Sequence, residues 1–290
     1  MSDGGPERGA VERLVREAFG ERLDARLVGE GGEHSTWWVG DRYVLRLALD
    51  ADTSRRQRVE LALRDAVRPR VGAGTPGAPG VGVAESVAAG EWAPGLAYTV
   101  DVRLPGTSAE LRDVSSAGER DLARLLSGLR SAPVEEAAAL GLPREPPRSL
   151  ASVREDAARA AGLLRGGGEP VAAEPPRADG EAAGGPVVLH RDLKGEHLLV
   201  DGLGRVSGVL DWTDAAVGDP AEDVAGLAIS VGAPAAARIA VAAGHAAEVA
   251  ARGVLLARYD TLVRLADRLH GTDDSPVPLL RAQLRRAWRD

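Results

Sequence analysis

The spacing of apolar and polar positions changes along this chain, and the change divides it in two. Over residues 8–19 (RGAVERLVREAF) Val11, Leu14, Val15 and Ala18 recur at helical intervals, which predicts a short amphipathic helix. WWVG and YVLRLAL follow, two strand-like runs of Trp, Tyr, Val and Leu joined by Gly40-Asp41, a hairpin signal. Residues 55–68 (RRQRVELALRDAVR) return to a helical pattern, predicted to stop at Pro69 because proline removes a donor and clashes with the preceding turn. A Pro/Gly-rich connection, VGAGTPGAPGVG, leads to further short strands ending in AYTVDV and then LPG.

From about residue 110 the pattern is helical, with segments near 115–130, 149–165, 221–229, 234–252 and 253–269. The stretch 166–186 is low in complexity and reads as a mobile loop. No repeat of fixed period is present. Strands followed by helices predict an α+β fold: a sheet-bearing N-terminal lobe over 1–104 and a larger helical lobe over 105–290.

Composition narrows the partners. A net charge of −7 argues against nucleic acid or an anionic membrane held by bulk electrostatics and is compatible with a cationic small molecule. The N-terminal residues lack the apolar core of a signal peptide, and no run of 18 apolar residues suggests a span, so a cytoplasmic protein is expected. There is no cysteine, which excludes disulfides and thiolate metal sites. The chain also has no asparagine and only one lysine, Lys194.

That lysine falls within VLHRDLKGEHLLV (188–200), where the chemistry is concentrated. A phosphoryl-transfer loop of the form H-x-D-x-x-x-x-N uses its Asp as base and its Asn as a magnesium ligand. His190, Asp192 and His197 occupy those positions here, so an imidazole stands where the Asn is expected. HLLV and RVSGVL, joined by Asp201–Gly204, form a predicted hairpin that brings His197 and Asp211 together at one end, beside Asp192. Phosphoryl transfer needs such a cluster, because a hard cation must neutralise phosphate oxygens while a carboxylate orients the attacking hydroxyl. Asp192 is assigned as base and Asp211 as the main magnesium ligand, with His197 as a further metal candidate. The run DWTDAAVGDPAED holds five carboxylates and no basic residue. In it Asp219 reads as a helix cap, Asp223 as a partner for loop backbone, and Asp214 as a contact for a cationic substrate.

VLHRDLKGEHLLV…GVLDWTDAAVGDPAEDVAGL resembles the aminoglycoside phosphotransferase family, whose members share the two-lobed protein-kinase-like fold. The family's usual loop is H-G-D-x-x-x-x-N, so Arg191 and His197 are departures. His197 and the D-W-T spelling are shared with macrolide phosphotransferases. The stretches EGGEHSTWWVG and GDPAEDVAGLAISVG are similar to phosphotransferases that act on tuberactinomycins, which are basic cyclic peptides.

The resemblance implies ATP or GTP and Mg²⁺ as cofactors and a hydroxyl-bearing antibiotic as acceptor. A basic peptide ranks first, then an aminoglycoside, with a macrolide, a small metabolite or a silent nucleotide-binding role as alternatives. It implies that Arg46, paired with Glu60, grips the α/β-phosphates and that the glycine-rich stretch 29–40 covers them, with Ser35 and His34 in reach. Backbone near Arg103 and Leu104 would bond the base. By likeness to protein kinases, Lys194 would stabilise charge on the moving phosphoryl group.

Overall fold

A computed structural model describes residues 8–30, 34–72, 80–171, 174–176 and 184–290. Helix α1 (Arg8–Phe19) precedes strands β1 (Ala25–Glu30), β2 (His34–Val39) and β3 (Tyr43–Ala48). Helix α2 (Ala51–Val71) and strands β4 (Gly82–Val83), β5 (Ser86–Ala93) and β6 (Leu96–Val102) complete the first region. An antiparallel five-stranded sheet runs in the order β1-β2-β3-β6-β5. Val11, Leu14 and Val15 of α1 pack on one of its faces against Trp37, Val39, Leu45 and Leu47. The burial of these side chains follows directly from the 3.6- and 2-residue periods of the sequence.

The remaining elements are β7 (Thr107–Ser108), α3 (Ser116–Ser131), α4 (Val134–Ala139), α5 (Leu150–Gly166) and β8 (Val187–Leu189). A 3₁₀ turn (Gly195–His197), β9 (Leu198–Val200), β10 (Val206–Val209) and β11 (Ala216–Gly218) follow. Helices α6 (Ala221–Ser230), α7 (Ala233–Ala242), α8 (Ala247–His270) and α9 (Val277–Ala287) end the chain. Strand β4 pairs in parallel with β10, so hydrogen bonding crosses the division expected at 104/105. The core of the second region continues into Leu63, Val67 and Val71 of α2.

Three sequence expectations change. Helix α2 starts earlier than predicted, where the Asp50 carboxylate accepts the Thr53 N–H at 2.7 Å, and it runs past Pro69 to Val71. Pro69 forgoes the N–H bond to the Asp65 carbonyl, and tertiary contacts hold the last turn in its place. Val67 and Val71 are buried, and Arg68 donates to the carbonyls of Val83 and Ala84. The predicted boundary at 252/253 is instead at 243–246, where Gly244 adopts φ +84°. Gly253 lies inside α8 as a close-approach site: a Cβ there would come within 2.5 Å of Val224 Cβ on α6. Helix α9 was not predicted. The low-complexity stretch 166–186 falls partly outside the described residues, as do Gly31 and Gly32 of the glycine-rich stretch.

Candidate active site

The catalytic-loop segment is built around a buried histidine. His190 is fully buried; its Nδ1 accepts the Asp192 N–H at 3.2 Å, and its Nε2 donates to the Leu210 carbonyl at 3.0 Å. These partners fix the neutral tautomer, and burial pushes the imidazole down to about 4. His190 therefore ties the loop bearing Asp192 to the strand end bearing Asp211. Trp212, 1% exposed, meets the His190 ring edge-on at a centroid distance of 4.6 Å. From below, the Asp223 carboxylate accepts the backbone N–H groups of His190 (3.0 Å) and Arg191 (2.7 Å). Burial pushes the Asp223 carboxyl up to about 7, against these two donors, which favour its ionised form. Asp219 caps the following helix by accepting the Ala221 N–H, and its other oxygen binds Arg252 at 2.6 Å. Gly226 of α6 lets the loop sit against the helix, since a Cβ there would lie 3.1 Å from Leu193 N.

Both departures from unstrained backbone occur at this site. Among the described residues, Arg191 (φ +65°) and Asp211 (φ +58°) are the non-glycine residues in the left-handed region. Such conformations cost roughly 1–3 kcal/mol each and persist where surrounding contacts over-determine them. The first explains why a glycine suits the position of Arg191 in the loop pattern.

The acidic and basic groups then converge. The Lys194 ammonium caps the buried Asp192 Oδ1 at 2.7 Å as a close ion pair. His197 Nδ1 lies 2.9 Å from the Asp192 carbonyl and 3.2 Å from Asp192 Oδ2; both only accept, so Nδ1 carries a proton. His197 Nε2 is 3.7 Å from Asp211 Oδ2. Burial works against the Asp192 carboxylate, but His197 and Lys194 outweigh it and hold the group at about 2. Burial likewise opposes the His197 cation, and Asp192 more than offsets it, raising the imidazole to about 9. The hairpin expected between β9 and β10 does bring His197 and Asp211 together.

A cleft of about 720 Å³ joins these residues to the sheet. Arg46 and Glu60 meet across it at 2.7 Å, and the second Glu60 oxygen accepts the Thr213 hydroxyl at 3.2 Å. Glu60, 2% exposed, thereby connects α2, β3 and the segment after Asp211. Burial disfavours the Arg46 charge, yet Glu60 holds its pKa above the ordinary value. Behind this pair a buried polar chain continues through Arg64, Asp101, Thr99 and Gln57. Sequence reading missed this chain because polar side chains on α2 break the apolar period.

Several expected contacts fall elsewhere. β2 alternates strictly, so His34, Thr36 and Trp38 line the cleft whereas Ser35 points away, with its hydroxyl accepting the Trp37 indole N–H at 2.9 Å. Ser35 is thus not a side-chain contact in the cleft; the sequence reading took a strand for a loop. His34 carries a buried Nε2 without a hydrogen-bond partner, and burial together with Arg46 pushes it down to about 4. The Arg103 N–H, expected for the base, donates to the Arg42 carbonyl at 2.8 Å, while its guanidinium lies 4.2 Å above the Trp38 ring. Leu104 lines the cleft. Asp214 lines the same cleft and not the separate cavity of about 270 Å³ beside Asp192, whose acidic residues besides Asp192 are Glu222 and Asp260.

The donor set also bears on metal. Among the described residues, no group of three or more His, Asp or Glu side chains is arranged to hold an ion. Magnesium does not ask for one, since it keeps waters and takes one or two carboxylates plus phosphate oxygens. The exposed Asp211 carboxylate fits that habit, whereas His197, raised to about 9, carries a proton on Nε2 as well at neutral pH and offers no lone pair there.

Comparison with known proteins agrees with this architecture. The model of the phosphotransferase enzyme family matches residues 24–262. The chain belongs to that family. Family members with solved structures share its two-lobed, kinase-like fold over nearly the whole length. Aminoglycoside 2'-phosphotransferase-IIIa in its GDP complex superposes with a TM-score of 0.66 at 19% identity, covering 97% of this chain and 98% of that one. Macrolide 2'-phosphotransferase MphH from Brachybacterium faecium gives 0.61 at 23% identity, covering 97% and 98%. By sequence the chain is similar to viomycin phosphotransferase of Streptomyces vinaceus, at 36% identity over 147 residues. That match takes in 47% of this chain, which spans about half the length of the relative (50%). Among the described residues, no helix is long and apolar enough to cross a membrane.

Proposed function

We propose that this phosphotransferase moves the γ-phosphoryl group of ATP or GTP onto a hydroxyl of a small antibiotic in the cytoplasm, with a basic cyclic peptide of the tuberactinomycin type as the leading acceptor. The observation that carries the reaction type is a convergence of charged groups: Lys194 at 2.7 Å and His197 at 3.2 Å from the Asp192 carboxylate, with Asp211 next to His197. Similarity to viomycin phosphotransferase supports the acceptor class.

In the reaction, the bond from the γ-phosphorus to the β–γ bridging oxygen breaks and one to the acceptor oxygen forms. The acceptor proton passes to Asp192. A carboxylate held at about 2 is a weak base, so its main work is to orient the hydroxyl, with proton transfer late, as suits a loose transition state. Lys194 balances charge on the transferring oxygens. Arg46, kept cationic and aimed by Glu60, binds α/β-phosphates with the planar fork that suits them. His34, with its unpartnered Nε2, faces the same end of the cleft. Asp211 would hold magnesium, which would supply charge neutralisation at the phosphates. Trp38 and Leu104 give the base an apolar wall.

The test is a mass-spectrometric screen of the purified protein with ATP or GTP, magnesium and a panel of tuberactinomycins, aminoglycosides and macrolides. The expected product is a peptide antibiotic heavier by one phosphoryl group, about 80 Da. Asp192→Asn should lose on the order of 10²–10⁴ in rate. A loss of only a few-fold would remove Asp192 from the role of base, and no product across the panel would overturn the antibiotic assignment.

A further inference from the structure

The cavity beside Asp192 shares no lining residue with the nucleotide cleft. It adjoins a second depression of about 480 Å³ through Asp260 and Val263, which line both. Arg148 controls the charge where they meet. Its guanidinium donates along one edge to both oxygens of Glu222 (2.9 and 2.8 Å) and along the other to both oxygens of Asp260 (2.8 and 3.0 Å). Arg148 is itself held, because its carbonyl accepts from Arg252, which is buried against Asp219. Two carboxylates sharing one guanidinium leave a single net negative charge.

The surroundings add no further attraction for cations. Arg264 lines the cavity and spends an N–H on the neutral side-chain oxygen of Gln283, while Lys194 is matched by Asp192. Over the two cavities together, five basic side chains face five acidic ones, although the whole chain carries −7. A molecule with many ammonium groups would have to strip their water without a carboxylate for each, which is costly.

We infer that the acceptor brings one cationic group, and not several, to the wall beside its reacting hydroxyl, and that Arg148 is the specificity residue enforcing this. The cation would rest on the outer lone pairs of Glu222 and Asp260, with neutral and apolar parts on Val263. This inference rests on the phosphotransferase reading and separates peptide acceptors, whose backbone is largely neutral, from aminoglycosides, which cluster amines around each ring.

The experiment measures kcat/KM of the full chain for viomycin and for kanamycin, in the wild type and in Arg148→Gln. The wild type is expected to favour viomycin. Arg148→Gln exposes two uncompensated carboxylates and should move the ratio toward kanamycin by about tenfold or more, the scale of one unit charge at a few ångströms in a partly solvated site. Loss of packing alone would lower both acceptors together and leave the ratio in place. Asp260→Asn, which neutralises the cluster while Arg148 keeps Glu222, should raise the viomycin KM about tenfold with kcat changed less than about twofold. It carries the test if Arg148→Gln does not fold. A wild type that prefers kanamycin, a ratio unmoved by Arg148→Gln, or an unmoved KM in Asp260→Asn would overturn the inference. Transfer to neither acceptor, with nucleotide still bound, would overturn the functional reading and this inference with it.

Discussion

Two identical substitutions in this protein are expected to act in opposite directions. Gly162 lies on the exposed side of α5, and a Cβ added there meets nothing within 4 Å. Gly162→Ala should therefore give the ordinary helix-propensity gain of about 0.5–1 kcal/mol, by reducing the freedom of the unfolded chain. Gly253 lies in α8 where that helix presses on α6. A Cβ there would come within 2.5 Å of Val224 Cβ, 2.6 Å of Val224 Cγ1 and 2.8 Å of the Ala221 carbonyl oxygen. Carbon atoms in contact settle about 3.5–4.0 Å apart, so the helices must separate by about 1 Å. Val224 Cβ is anchored to backbone and cannot swing aside. Overpacking of this kind costs about 1–3 kcal/mol, which exceeds the propensity gain and leaves a net loss on the order of 1–2 kcal/mol. Urea denaturation of the two variants reads both signs. Helix α6 also carries Asp223 and Gly226 against the catalytic loop, so Gly253→Ala should lower kcat as well, and Gly162→Ala should not. Stabilisation by both substitutions would refute the close packing of α6 on α8.

Three further outcomes are expected. Glu60→Ala leaves the buried Arg46 cation and the Thr213 hydroxyl without their shared acceptor, and should cost about 3–5 kcal/mol by denaturant titration; a loss under about 1 kcal/mol would show that the pair is not the link between the two regions. His190 binds a proton near 6.5 when unfolded and only near 4 when folded, so the unfolded state holds more protons between those values. Its contribution is present above about pH 6.5 and is lost as pH falls toward 4, at up to about 1.4 kcal/mol per pH unit, and His190→Gln should flatten that slope in melting curves. Asp211→Ala should all but abolish turnover while nucleotide binding measured by calorimetry without magnesium stays within a few-fold; equal loss of both would assign Asp211 a structural role.

Much of the reacting end of this site was legible in local sequence. The loop from His190 to His197, the short hairpin and Asp211 are close along the chain, so strand alternation and one turn fix their approach. A period of two also gives the alternation on β2, although the boundary between strand and loop there was misread, and Ser35, expected in reach of the phosphates, turns its hydroxyl to Trp37. The sequence reading divided two helices at 252/253, although Gly253 lies inside α8. Its reason for being there is a neighbouring helix 29 residues upstream at Val224, which no local pattern displays.

The sequence by itself determined the fold class, the order of strands before helices and the approach of His197 to Asp211, since these depend on periodicity and short spacings. Only the tertiary structure decided which charges are already spent. The Arg103 amide is taken by Arg42, the Ser35 hydroxyl by Trp37, and Glu222 and Asp260 by Arg148, which comes from residues far away in the chain. An acidic run read from sequence alone predicts attraction for cations. Burial and ion pairing depend on distances through space, and here they leave the cavities beside Asp192 balanced.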